Sequence, residues 1–528
     1  MIDRFQKFFK LYRAPIFSGI LIGTTYIPFP PWALAFCYMP LWYFALRKTS
    51  FGKQIFIGAW WTQFILTLIG FHWISFVSHS YGYFPWPVAI IVLLLFAAAV
   101  HLYIPLSLWL GHWLRQKFSL SEGATLITWA LLLVLGEIFW PSIFRWNLGY
   151  TLLWIHSPWA QWADVIGFQG LSAAVYLINA ALLWAFLQKS KGGKRAVVAG
   201  ISSLLVLFYF AGQTRQEKWQ SSDAELKTLI VQANIANFEK YQAERGAGYQ
   251  QEIMDQFYSL TRDALNQHPD TDLVLWPETA FPEFLDDHAK HRFYPAQLRS
   301  FVQSINKPLI LGAYSKDGPE VRRRKDYNAL FLFNERGELT PPPYHKTQLL
   351  IFGEYAPLVE EFPILAKYNP GGEGFGRGTG PTLMQIGDIK LGPQICYESL
   401  DPQFSAQSTL LGSQILINAT NDSWFGPRGE PFQHLYMTLA RAIENRRPLI
   451  RSTNTGISSA ILADGTILEL SPIDQKWYGL YTIHYQKNPE ITFYTKYGSW
   501  LWLVISFLLA LTIFLGRNRA RIERPRLD

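Results

Sequence analysis

The stretch "GPQICYES" (392–399) sets Cys396 between an apolar, β-like run and Glu398, and the chain has only one other cysteine, Cys37. A thiolate is a strong nucleophile, but an ordinary thiol with a pKa of about 8.5 stays mostly protonated at neutral pH. Chemistry at such a sulfur needs a base for its proton and a donor for the charge that develops on the attacked oxygen. Both residue types are present. "LWPETAFP" ends an apolar run in Glu278, and "YHKTQLLIFGEYAP" carries Lys346 and, eight residues on, Glu354. A carboxylate takes the proton; an ammonium favours thiolate and binds an oxyanion. The plainer alternatives stand beside this one. A lone buried cysteine also serves as core filler, and each charged residue alone also makes a surface salt bridge. Spacing along the chain does not bring the three together.

The elements that would position them divide into two kinds. Half of the 528 residues are hydrophobic, only 16% are charged, and 21 are tryptophan, a composition that points to a membrane protein. Mean hydropathy is nonetheless +0.08, so a polar block must dilute the apolar segments. Crossing ~30 Å of hydrocarbon takes ~20 apolar residues in a helix. Seven candidate spans precede residue 215: 16–26 and 32–45, both short and broken by prolines within or beside them, then 55–74, 88–110, 124–140, 167–187 and 196–211. An eighth runs over 500–515.

Eighteen Lys and Arg residues lie before the first span, after the last, or in alternate short loops, against Arg145 alone in the others. This positive-inside bias predicts cytoplasmic termini and places the block between spans seven and eight outside the membrane. The net charge of +8 sits at helix ends, so it does not indicate nucleic-acid binding. The N-terminal segment shows no small-residue cleavage site and reads as a retained anchor. Predicted domains are thus 1–214, with seven spans, an exported 215–497, and 498–528, the eighth span with a basic tail.

Within 215–497, strand-like runs bounded by Pro, Gly, Asn or Asp ("TLIVQANI", "DLVLWPE", "PLILGAY", "NALFLFN", "KLGPQICYE", "QILINAT", "RPLIRSTN") alternate with helical patterns such as 248–267 and 431–445. That alternation predicts sheets covered by helices. Cys37 falls in a span and cannot reach an exported strand, so Cys396 has no partner within the chain. In an oxidising compartment such a thiol is either buried or used. "NPGGEGFGRGTGP" (369–381) lacks the Gly-Lys-Ser/Thr ending of a phosphate loop and reads as a surface loop. "RRRK" (322–325) reads as a solvated hairpin tip or a headgroup contact.

"LWPET", "HKTQLLIFGEYAPL", "QICYES", "NATNDSWFG" and "RSTNTG" resemble the nitrilase, or carbon–nitrogen hydrolase, superfamily. With the spans, and with "HW" at 72–73 and "WNLGYT" at 146–151, nearly the whole chain resembles its membrane-embedded apolipoprotein N-acyltransferase family. The resemblance implies a multi-pass helical membrane domain and an exported α/β domain with α-β-β-α layers. It assigns Glu278 as general base, Lys346 as oxyanion ligand and Cys396 as nucleophile. Glu354 becomes the second carboxylate, Tyr397 supplies a backbone N–H to the oxyanion, and Glu398 supports the site. Tyr241 and Trp424 are the expected acyl or cavity contacts, with core packing the alternative for Trp424. Departures from the family pattern fall at Gln348, Ile351, Tyr241 and Arg145.

The activity so implied is a ping-pong transfer of a fatty acyl chain. A membrane phospholipid is the donor and the N-terminal amine of a diacylglyceryl-cysteine lipoprotein the acceptor, with no cofactor or metal, at the periplasmic face of a bacterial inner membrane. A membrane-tethered amidase using the same Glu-Lys-Cys set is the alternative reading. A binding module without catalysis would be expected only if one of the three residues were missing.

Overall fold

The computed structural model describes residues 2–47, 52–142, 144–235, 237–244, 248–286, 292–316, 326–351, 353–355 and 374–517. Two compact units emerge, one of residues 1–79, 83–215 and 497–528, the other of 80–82 and 216–496.

The first unit is helical. Five of its described helical segments are long and apolar enough to cross a membrane: Trp86–Phe118, Glu122–Phe139, Pro158–Leu187, Lys191–Lys218 and Phe493–Leu515. A sixth counts if Gly52–Gly70 and Ile74–Ser80, bent by 58°, form one broken span. The two N-terminal candidates differ from expectation. The first helix runs from Ile2 to Gly23 and carries basic residues in its first half. The second shrinks to Met39–Arg47, because the prolines at 28, 30 and 31 supply no N–H and hold 24–38 in turns. Elsewhere local chemistry sets the ends. The Ser121 side chain accepts from the Ala124 N–H and caps Glu122–Phe139. Gly167, at φ 65°, kinks the helix Ala163–Leu187 where the predicted span began, a conformation open to glycine. Glu137, in Glu122–Phe139, accepts a hydrogen bond through Oε1 from Tyr176 of Ala163–Leu187, a polar contact among apolar helices.

Among its described residues the second unit has eleven strands: β1 (Ala224–Gln232), β2 (Leu273–Leu275), β3 (Leu309–Ser315), β4 (Tyr327–Phe333), β5 (Tyr344–His345), β6 (Met384–Ile386), β7 (Ile389–Ile395), β8 (Ile415–Thr420), β9 (Leu449–Thr453), β10 (Ser459–Ile461) and β11 (Trp477–Tyr485). They form a six-stranded sheet in the order β11-β1-β2-β3-β4-β5 and a five-stranded sheet in the order β10-β9-β8-β7-β6. In each, the central strands are parallel (β1-β2-β3 and β7-β8-β9) and the outer pairings antiparallel. Parallel neighbours need crossovers, and helices Gln250–Gln267 and Phe293–Ile305 provide them in the first sheet. Their apolar faces pack on it in one core that includes Met254, Phe257, Trp276, Leu298, Phe301 and Leu311. Helices Pro402–Leu410 and Glu430–Asn445 cover the second sheet, and β1 touches β9 between the sheets. This is the expected α-β-β-α layering.

β11 was not among the predicted strands, although Tyr481, Ile483 and Tyr485 alternate inward as a half-buried strand requires. "DLVLWPE" contributes only three residues to a ladder, because Pro277 cannot donate.

The first sheet holds the residues after β2 tightly. Trp276 is fully buried, stacks on Phe257 with centroids 4.7 Å apart, and donates through Nε1 to Thr261 Oγ1 at 3.0 Å. Beside it, a Cβ on Gly312 would lie 2.3 Å from the Thr279 nitrogen and 2.7 Å from the Glu278 Cα. Gly312→Ala should therefore destabilise the protein by about 1–3 kcal/mol, the usual cost of overpacking, read as a lower melting temperature in detergent. An unchanged melting temperature would show that the 278–279 backbone yields freely.

Candidate active site

Three strands of the two sheets each hand the chain to a reactive residue. Glu278 follows β2, Lys346 follows β5 and Cys396 follows β7, so all three lie at carboxyl ends of strands, where open α/β sheets commonly build sites. Lys346 Nζ donates to Glu278 Oε1 at 3.0 Å and to Glu354 Oε1 at 2.8 Å, with the lysine 1% exposed. Burial opposes the ammonium charge, but Glu278 and Glu354 outweigh it and hold the lysine well above its ordinary pKa. The Cys396 thiol, 5% exposed, is pushed well above its ordinary value by burial and then by Glu278, against the opposing pull of Lys346. The resting sulfur is therefore protonated, and an attack from it requires a base at the moment of reaction.

Two further side chains set the carboxylates. Asn328 of β4 donates through Nδ2 to Glu278 Oε1 at 2.7 Å and to Glu354 Oε1 at 3.0 Å. Lys240 donates to the Glu278 carbonyl at 3.2 Å and to Thr279 Oγ1 at 2.6 Å, gripping a turn in which Thr279 has φ 47°. The Leu350 N–H takes the second oxygen of Glu354 at 2.9 Å. Sequence reading passed over Asn328 and Lys240. The signal for Asn328 was a carboxamide inside the apolar run "NALFLFN", a polar group that burial obliges to find partners.

Cys396 sits at φ 54°, a strained conformation for a residue with a side chain. Glu398 clamps the turn from below: it accepts from the N–H groups of Ile395 (2.7 Å), Thr347 (2.6 Å) and Gln348 (3.1 Å) and from the Tyr344 hydroxyl (2.6 Å). It thereby ties the cysteine turn to the segment that carries Lys346. Gln348, a departure from the family pattern, also bonds Asp401 through its side chain at 2.7 Å.

Tyr397 is buried, with its hydroxyl on Glu430 Oε1 at 3.1 Å and its ring stacked on His434 at 4.8 Å. Trp424 is 39% exposed, which argues against the core-packing alternative, and its ring lies 4.4 Å from that of Tyr81. Tyr241 lies in helix Asn237–Glu244, but its side chain falls outside the described residues. So do all of "RRRK" and residues 369–373 of the Gly-rich tract.

Among the described residues, Asp422, Glu430 and His434 are a buried group whose ligand atoms lie within 4.8 Å of one another. Asp422 is already engaged, however, by Arg451 Nη2 at 2.6 Å and by His434 Nδ1 at 2.9 Å. Burial would raise this carboxyl, but Arg451 and His434 hold it well below the usual carboxylate range. Burial and Asp422 push Glu430 up, and burial and Arg451 push His434 down. The group is an ion-paired network.

Burial raises Glu398 from an ordinary 4.5 to about 7, against the hydrogen bonds it accepts. A carboxyl raised on folding lends stability below its unfolded pKa and loses it as pH climbs through the folded one. Unaltered protein should therefore lose on the order of 3 kcal/mol relative to Glu398→Gln between pH 4 and pH 8. Melting curves at several pH values check this; parallel slopes for the two proteins would count against it.

Comparison with known proteins adds the relationships. Residues 227–484 match the carbon–nitrogen hydrolase family, and residues 18–181 match the apolipoprotein N-acyltransferase N-terminal domain. The chain is 49% identical to an apolipoprotein N-acyltransferase of Bdellovibrio bacteriovorus over 99% of this chain and 98% of that one. It is 30% identical to the protein of that name in Geobacter metallireducens, over 81% and 80%. In Pseudomonas aeruginosa the identity is also 30%, over 96% of both chains.

Proposed function

The chain belongs to the apolipoprotein N-acyltransferase family, and from that premise we propose that its acyl transfer runs through a thioester on Cys396, with a phospholipid as donor and a diacylglyceryl-cysteine lipoprotein as acceptor. It is a multi-pass membrane protein and an acyltransferase of the carbon–nitrogen hydrolase superfamily. The observation that carries the residue assignment is the buried Lys346, joined to Glu278 and Glu354, on the segment that Glu398 ties to the Cys396 turn.

Acylation begins when Cys396 Sγ attacks an ester carbonyl carbon of the phospholipid while Glu278 takes the thiol proton. Lys346 and the Tyr397 N–H hold the oxyanion. The C–O bond then breaks, Glu278 returns its proton to the departing alkoxide, and a lysophospholipid leaves a thioester behind. In the second half the acceptor's α-amine attacks the thioester carbon and gives its proton to Glu278. The C–S bond breaks and the sulfur recovers the proton. An ester and an amine have become an alcohol and an amide. Glu354 shares the lysine with Glu278, so the ammonium stays charged and aimed through both halves. Deep burial also keeps water from the thioester.

The partners are lipids and lipoproteins in a membrane, which suits a membrane anchor. Leaving an acyl chain wet costs about 0.8 kcal/mol per methylene, so a donor and acceptor that never leave the bilayer avoid that loss. Tyr241 and Trp424 serve as acyl contacts. Eight crossings, divided at 1–214, 215–497 and 498–528, set both termini in the cytoplasm and the catalytic unit outside. The amide-hydrolysing alternative is not the activity the relatives are named for. It differs in its acceptor, which would be water.

Incubating full-length protein with phospholipid vesicles should add one fatty acyl mass to the peptide containing Cys396, and Cys396→Ala should carry none. Adding a diacylglyceryl peptide should discharge the adduct as amide. Acyl addition to the alanine variant would refute the nucleophile, and discharge only as free fatty acid would favour the hydrolase. A cysteine replacing exposed Glu335, in a Cys396→Ala background, should react with an impermeant maleimide in intact spheroplasts. Reaction only after lysis would reverse the orientation.

A further inference from the structure

A peptide unit is planar, so the carbonyl of Cys396 and the N–H of Tyr397 point in opposite directions and turn together. Whatever grips that carbonyl aims that N–H. That carbonyl's side-chain donors include Asn418 of β8, through Nδ2 at 3.1 Å, and Ser399, through Oγ at 3.0 Å. Both are held in turn by one guanidinium. Arg451 Nη1 donates to Asn418 Oδ1 at 2.7 Å and to Thr438 Oγ1 at 3.3 Å, and Thr438 Oγ1 meets Ser399 Oγ at 2.7 Å. Because Ser399 spends its proton on the Cys396 carbonyl, Thr438 is the donor between them. Thr438 spends its own proton there and must accept from Arg451.

The same guanidinium reaches the far side of Tyr397. Arg451 Nη2 bonds Asp422, Asp422 bonds His434, and the His434 ring stacks on the Tyr397 ring. Its Nε donates to the Ile457 carbonyl at 3.3 Å. Arg451, Asn418, Ser399 and Thr438 are all fully buried. A planar fork with several fixed donors can hold Asn418, Thr438 and Asp422 at once; a lysine ammonium has neither the fork nor the reach.

We propose that Arg451 is a positioning residue for acyl transfer: through Asn418 and through Thr438–Ser399 it fixes the 396–397 peptide so that the Tyr397 N–H faces the developing oxyanion. This rests on the reading that Cys396 is acylated. The arginine touches no substrate. Its position in "RSTNTG", 55 residues beyond the cysteine, gave no hint of it.

Two rates at Cys396 test the idea in full-length protein. Alkylation by iodoacetamide needs a thiolate and no oxyanion, whereas acylation from phospholipid needs both. Arg451→Lys should slow acylation by about 10–100-fold, short of the ~10²–10³ expected when an oxyanion donor is removed outright. Its alkylation rate should stay within about twofold of unaltered protein, and the apparent KM for phospholipid should hold. Thr438→Val, which severs only the Ser399 arm, should slow acylation less and again spare alkylation. Acylation that is unchanged, or that falls only in step with alkylation, overturns the inference. If Arg451→Lys gives no cooperative melting transition, Thr438→Val decides by the same criterion. Unaltered protein that alkylates but never acylates would overturn the acyl-enzyme reading itself, whereas normal acylation with indifferent variants overturns only the role of Arg451.

Discussion

A buried ammonium can keep its charge only if anionic or strongly accepting groups surround it, and most of the geometry around Lys346 follows from that requirement. An isolated ammonium moved out of water would neutralise itself. Here two carboxylate oxygens lie within hydrogen-bonding distance of Nζ, at 3.0 and 2.8 Å. Those carboxylates come from different segments, after β2 and after the edge strand β5, and Asn328 of β4 bridges them. Removing one partner of such a group leaves an uncompensated buried charge, so the arrangement stands or falls as a unit. A site of this kind is rigid by necessity.

The sulfur is governed by the opposite demand. Burial and a neighbouring carboxylate keep the Cys396 thiol protonated, so a permanently reactive, readily oxidised thiolate is avoided. In the proposed mechanism activation coincides with substrate: the proton moves when a carbonyl carbon is present to accept the electron pair. The strained φ of Cys396 is maintained by hydrogen bonds on both sides of the turn. Glu398 ties it to the lysine-bearing segment, and Asn418 and Ser399 tie it to the second sheet. Strain of this kind persists only because the surrounding fold holds it.

The acyl-transfer activity fits this division of labour. An amide hydrolase with the same three residues would need water at the second step. A transferase needs water kept away until its acceptor arrives, and on the proposed reading a lipid-anchored acceptor brings its amine to a membrane-anchored enzyme. The helical unit, with five described segments able to span a bilayer and a sixth in a bent pair, provides the anchorage.

Much of this was legible in the residues. Apolar runs of sufficient length and strands punctuated by proline and asparagine report local and solvent preferences, which depend on composition within a short window. Glu278, Lys346, Glu354 and Cys396 stood out because reactive types sat at the ends of apolar runs. The bounds of the two N-terminal helices were misjudged where prolines broke the chain into turns, and β11 was missed because a strand's stability comes from its neighbour, here β1. Tertiary structure alone decided which charges meet. Asn328 and Arg451 look like ordinary polar residues in strands, and only the folding of the two sheets shows that one bridges two carboxylates and the other braces the cysteine turn. The reason is physical: propensity acts over a few residues along the chain, whereas hydrogen bonds and Coulomb attraction act over a few ångströms in space, between partners such as Glu278 and Lys346 that the sequence holds 68 residues apart.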